Sequence, residues 1–199
     1  MFKIVIYILI LFIASNTYSQ THDSIKYVKV HFMYGSRPLK KFKSTEKHWF
    51  GGIKGGHVSM EIDSQVIGFV PSGRVHIFRH RNKKNSAFSV EGIQSWEADT
   101  ASIKYTSVLI PLAPISYQKI KSIFLNYTDT TPYDYAFFGM RCAAATCEIL
   151  SQIGITPKGN IYTNFYPQLF RRRLIKLANL KKWKIVKHGG RSTRKWERE

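Results

Sequence analysis

The 199 residues are 44% hydrophobic and 14% aromatic, which excludes a disordered polyelectrolyte and suffices for one domain whose core needs no disulfide staples. Lys and Arg number 31 against 12 Asp and Glu, a net charge of +19. On charge alone this favours a polyanionic partner: nucleic acid, anionic lipid or an acidic envelope polymer.

The opening stretch, "MFKIVIYILILFIASNTYSQ", sets Lys3 before an apolar run from Ile4 to Ala14 and then a short polar segment. That is the layout of a secretory signal peptide. Thr17 and Ser19 fill the small-residue positions, so residues 1–19 are expected to be removed, leaving one domain over 20–199. The apolar run is shorter than the ~20 residues that span a bilayer, and no stretch of the mature chain is apolar enough to do so. The expected location is exported, periplasmic or secreted, where envelope polymer or a lipid surface is a better-placed partner than nucleic acid.

Alternation in "IKYVKVHFMYGSRP" predicts a strand over Lys26–Tyr34 with Val28, Val30, Phe32 and Tyr34 on one face, ended by Gly35 and Pro38. A Lys- and Gly-rich loop leads to "HVSMEI", which Asp63 and Ser64 turn into "QVIGFV", a hairpin. "PSG" then leads to a third strand, "RVHIF"; "RHRNKKN" reads as a solvated loop and "YTSVLIPL" as another strand. "PISYQKIKSIFLNYT" spaces Ile115, Ile120, Ile123, Phe124 and Tyr127 for a helix, with Ser116 near its N-cap. A helix carrying both cysteines follows, then "YPQLFRRRLIKLANL" as a further helix and "KKWKIVKHGG" as a short strand. The predicted fold is a single α+β domain, an antiparallel sheet packed against helices, with a basic C-terminal helix-strand region over about 167–199.

Cys142 and Cys147 cannot bridge if they share a helix. Five residues at ~1.5 Å each separate them by about 7.5 Å along the axis, and they point roughly 140° apart, whereas Cα atoms beyond ~7 Å are not joined without moving backbone. Cys147, inside "CEILSQIGI" with Gly154 as the stop, reads as a small core residue. Cys142 follows "FFGMR" and opens a run of three alanines. A helix N-terminus, with Arg141 beside it, favours thiolate and so a nucleophile. A small residue packed before an alanine-rich face is the alternative.

A thiolate nucleophile needs a base. His22 is beside the expected cleavage point, His31 alternates to the outer face of the first strand, His48 and His80 sit among cations in loops, and His188 is near the tail. His57 stands after "GGIKGG" as the first residue of an apolar strand, rigidly held at the sheet's end; an ordinary strand-end histidine is the other reading.

Taken together, "GGHVSMEI" and, some eighty residues on, "YDYAFFGMRCAAATCEILSQIGI" resemble the NlpC-type papain-like cysteine amidases in their circularly permuted form, in which the histidine strand precedes the cysteine helix. The resemblance covers about Gly55 to Ile155 and implies a papain-like permuted NlpC-type domain. It also implies Cys142 as nucleophile, His57 as general base, and an amide or ester cleaved through a thioester, with the Cys142 backbone N–H as oxyanion donor. Peptidoglycan peptides or acyl lipids would be the substrate. The family's third polar group belongs on the strand after the histidine strand, and "QVIGFV" offers none. Glu61 shares a face with His57 but lies ~13 Å away at ~3.3 Å per residue. If Ser59 pairs with Gly68 and the chain returns through "PSG", His76 falls beside Gly68 and could reach the site as a third catalytic group.

The opposing reading is a non-catalytic binding protein on a degenerate fold of this type, docking through the basic C-terminal region; a lipid-directed acyl hydrolase or transferase is another. Neither cofactor nor metal is expected: His57 with Glu61 lacks ligand geometry on a strand, and neither cysteine has a ligand-spaced histidine.

Overall fold

The computed structural model describes residues 25–35, 40, 56–158 and 164–190. The expected signal peptide, His22, His48 and the tail from 191 onward lie outside the described residues.

Eight strands and four helices are described. The strands are β1 (Lys26–Tyr34), β2 (Gly56–Ile62), β3 (Gln65–Pro71), β4 (His76–Phe78), β5 (Ser86–Gly92), β6 (Tyr105–Leu112), β7 (Ala136–Phe138) and β8 (Lys184–His188). The helices are α1 (Ile93–Thr100), α2 (Pro114–Asp129), α3 (Cys142–Gln152) and α4 (Pro167–Lys181). Six strands form one sheet in the order β5-β3-β2-β1-β6-β8, every neighbouring pair antiparallel. The chain is thus mixed α and β with an antiparallel sheet, as expected of an α+β domain. Among the described residues no helix is long and apolar enough to cross a membrane.

Period-two alternation in β1 sends Val28, Val30 and Phe32 into the main core, joined there by Val58 and Met60 of β2 and by Ile120, Leu150, Phe170 and Leu174 of α2, α3 and α4. The opposite face is covered by α1, whose Trp96 packs with Val66 and Tyr105. His31 points to this opposite face, as its alternation predicts, but is buried there under Trp96, with ring centroids 4.5 Å apart. Its Nε2 meets Glu61 Oε2 at 3.0 Å and its Nδ1 meets Ser107 Oγ at 2.8 Å. Residues 86–104, unassigned in the sequence, supply both the edge strand β5 and the helix α1 that closes this face.

Two local expectations differ. The N-cap of α2 is Ala113, with Pro114 at N1, since the proline ring presets the helical φ; Ile115 is 79% exposed rather than in the core pattern. And "RVHIF" does not return along β3. β5 takes that edge, pairing Gly68 with Ser89. β4 instead pairs in parallel with β7 as a separate two-stranded ribbon, His76 opposite Ala136 and Phe78 opposite Phe138.

Candidate functional site

The helix α3 starts at Cys142, with Arg141 in extended conformation (φ −135°, ψ 172°) as its N-cap. Ala145 N–H donates to Arg141 O at 2.8 Å, so the N–H groups of Cys142, Ala143 and Ala144 lie before the first intrahelical bond and present the positive end of the helix. Three alanines let the first turn pack flat and buried against the sheet. At the other end Gly154 takes φ 76°, and Ile155 N–H and Gly154 N–H cap Leu150 O and Ser151 O at 2.9 and 3.1 Å, the Schellman closure that a glycine permits.

Cys142 is 2% exposed. Burial alone pushes its thiol up, yet the thiol sits below its ordinary value: hydrogen bonding and charge from His57, the Val58 backbone N–H and the charge of Arg141 outweigh the burial. The Arg141 guanidinium is itself held in an aromatic box, 4.8 Å from the Phe165 ring centroid, 5.8 Å from Phe137 and 5.9 Å from Tyr166. Tyr135 completes the surround. Burial, followed by the charge of the Cys142 thiolate, pushes its ionisation up, so its hydroxyl stays neutral beside Arg141 and Cys142.

Cys147 has the opposite character. Both cysteines are free and buried, but burial pushes the Cys147 thiol up and its neighbours do not overcome it. Its sulfur receives Asn164 Nδ2–H at 3.1 Å and lies 3.7 Å from Thr156 Oγ1.

His57 is the first side chain of β2, one residue beyond Gly56 at φ 140°. Its Nε2 edge lies over Gly68: a β-carbon at 68 would stand 2.8 Å from Nε2 and 3.6 Å from Ser89 Oγ. The expected register of Ser59 opposite Gly68 holds, but the residue across Gly68 is Ser89, whose hydroxyl donates to Gly68 O at 3.1 Å. A cavity of about 260 Å³ opens behind this gap, lined among others by His57, Ser59, Ser89 and Glu91. His76 stands elsewhere: its Nδ1 bonds Asp134 Oδ2 at 2.8 Å. Glu61 bonds Lys29 Nζ at 2.5 Å and His31 rather than His57.

The structure thus brings His57 to Cys142 and leaves His76 apart. Ser89 and Tyr135 carried no role in the sequence reading. Tyr135 stood within the quoted motif, seven residues before Cys142; Ser89 had no signal, because its strand was not foreseen. No group of three or more His, Cys, Asp or Glu side chains able to hold a metal occurs among the described residues. Comparison with protein-family models, with curated proteins and with solved structures yields no match.

Proposed function

We propose that this chain is a cysteine hydrolase of the permuted NlpC type, acting on an amide or ester through a thioester. The reading rests on one observation: a buried thiol at a helix N-terminus held below its ordinary pKa chiefly by a histidine at a strand end.

Cys142 Sγ attacks the carbonyl carbon as thiolate, and the C=O π pair moves onto oxygen. That oxyanion is met by the free N–H at the start of α3 and by the Tyr135 hydroxyl, donors fixed before charge develops. As the carbonyl re-forms, the bond to the leaving nitrogen or oxygen breaks and His57 donates the proton that the amine or alcohol needs. His57 then takes a proton from water, whose oxygen displaces the thiolate and releases the acid. Ser89 stands where a third residue would steady the imidazole, across a glycine.

The strong net positive charge suits an anionic envelope substrate, with cell-wall peptides first and acyl lipids second. The test is turnover of cell-wall peptide and acyl-ester substrates by wild type, Cys142→Ala and His57→Ala. Release of amine or alcohol that both substitutions abolish is expected; turnover unchanged in Cys142→Ala would end the reading.

A non-catalytic envelope-binding role draws on a different observation. Arg172, Lys176, Lys181, Lys182, Lys184 and Lys187 are all exposed along α4 and β8. Arg171 is not part of that face.

A further inference from the structure

Outside the β4–β7 ribbon, exposed large apolar residues such as Ile115 and Leu180 are scattered over strands and helices, which needs no explanation. The β4–β7 ribbon is different. Ile77 is 65% exposed, Phe78 69%, Phe137 48% and Phe138 50%, and they are contiguous: Phe78 stacks on Phe138 at 5.5 Å between centroids, and Phe138 meets Phe137 at 4.9 Å. In the parallel register Phe78 and Phe138 share one face while Ile77 and Phe137 take the other. No third strand of the described residues extends this ribbon. A bare two-stranded ribbon is marginal in water.

Its base is instead pinned by Asp134, which is buried and accepts from His76 Nδ1 at 2.8 Å, His80 N–H at 2.7 Å and Asn85 N–H at 2.9 Å. Gly139 then turns the chain tightly, since a β-carbon there would stand 2.9 Å from Ala136 Cβ. The structure therefore uses polar anchors to hold Ile77, Phe78 and Phe138 outward, with Phe137 half-exposed beside them where it also meets Arg141 and Phe165.

The charge around them has one sign. Between Ser72 and Ser86 the chain carries Arg74, Arg79, Arg81, Lys83 and Lys84, all exposed, and no Asp or Glu. On the β7 side the single acid, Asp134, is buried at the anchor. An apolar tip ringed by cations matches a bilayer's headgroup boundary, with rings below the phosphates and guanidinium and ammonium groups level with them. A soluble polyanion would engage the cations and leave the rings in water, so it accounts for only half of the surface. Only three residues separate Phe138 from Cys142.

We propose that the β4–β7 ribbon is a membrane-docking element that seats this protein on anionic lipid. The proposal goes beyond hydrolysis and does not depend on it, because docking needs no thiol.

The experiment is co-sedimentation with phosphatidylcholine vesicles made with and without phosphatidylglycerol, using Cys142→Ala so that turnover plays no part. Retention is expected on the anionic vesicles and little on the neutral ones. Phe78→Ser with Phe138→Ser should weaken partitioning at least about tenfold, since it removes two large buried-in-lipid rings. Arg79→Gln and Arg81→Gln should each weaken it about fivefold. These side chains are exposed, so the fold is expected to survive, and Phe78→Trp provides a second readout: its emission should shift to the blue on vesicles and be quenched by brominated lipid. Three results would overturn the proposal: vesicle retention unchanged by the Phe substitutions, a Phe78→Trp signal untouched by lipid, or self-association without vesicles that the same substitutions abolish, which would make the ribbon a contact between copies of this chain.

Discussion

A β-carbon on Gly68 would stand 2.8 Å from Nε2 of His57, closer than carbon and nitrogen tolerate, so the imidazole keeps its place only because residue 68 has no side chain. The same geometry excludes a third catalytic side chain from that position and leaves Ser89 as the nearest side-chain polar group on the far side.

Gly68→Ala is therefore expected to displace the ring rather than the strand. A shift of this size at a reacting group costs turnover on the order of 10²-fold, while the sheet, whose ladder at 68 is carried by backbone, should keep its cooperative unfolding. Ser89→Ala keeps the glycine and removes only the hydroxyl, so its loss should be smaller and lie in kcat rather than KM. Steady-state kinetics with circular dichroism separate the two, and full activity in Gly68→Ala would detach His57 from the chemistry.

The outline of the sheet is readable because β1 and β6 send alternate residues into the core, the apolar runs of β2 and β3 flank a turn, and the Asp63–Ser64 turn sets the register of Ser59 on Gly68. What the sequence hid was long-range. Nothing local in "SAFSVEG" says that β5, rather than β4, takes the edge of β3, and a three-residue strand such as β4 has too few side chains to encode its partner. His76 was misplaced for that reason. The alternation puts His31 on the outer face, and only the unpredicted α1 that roofs this face makes it buried. Cys142 and His57 were legible since each is defined locally, one by a helix start and the other by a strand start.

Asp134 should matter to stability more than its distance from the thiol suggests. Its carboxylate accepts two backbone N–H groups and His76, and Asp134→Ala leaves those donors unmet, a cost on the order of 3 kcal/mol. Urea denaturation of the variant measures it. Burial pushes the Asp134 carboxyl up, but the His80 N–H, His76 and the Asn85 N–H hold it below its ordinary value. A depressed folded value means this stabilisation is complete above the unfolded carboxyl near ~4 and is lost as pH falls through the folded value. The urea midpoint of wild type should therefore fall below about pH 4 more steeply than that of Asp134→Ala; parallel curves would show that the carboxylate is not the ribbon's anchor.

Arg171 separates the basic surface from the basic sequence. It is 5% exposed; among the described residues its Nε has no hydrogen-bond partner, and its guanidinium meets Thr106 Oγ1 at 3.5 Å and the Tyr34 ring at 5.2 Å. A buried cation so weakly compensated is replaceable by an apolar side chain of similar length at little or no cost. Arg171→Met should leave attachment to anionic material unchanged. Neutralising Lys176, Lys181 and Lys184, all exposed, should weaken salt-sensitive attachment if that face binds, because exposed charges are screened over ~8 Å at physiological ionic strength. Retention on an anionic column against salt reads both, and a loss confined to Arg171→Met would reverse the assignment.

Thiol reactivity gives the closest view of the proposed pair. The Cys142 thiol lies below its ordinary value and the Cys147 thiol above it, so iodoacetamide near pH 6 should label Cys142 and spare Cys147, although burial slows both. His57→Ala removes the contribution that most lowers the Cys142 thiol while leaving the burial that raises it, so the pH of half-maximal alkylation must move upward. Tyr135→Phe removes a neutral hydroxyl that interacts with the same sulfur and should move it upward by less. An imidazole that only packed beside the thiol would leave the curve where it is. Alkylation rates measured against pH for wild type, His57→Ala and Tyr135→Phe decide this, and coincident wild-type and His57→Ala curves would rule out the pair as nucleophile and base.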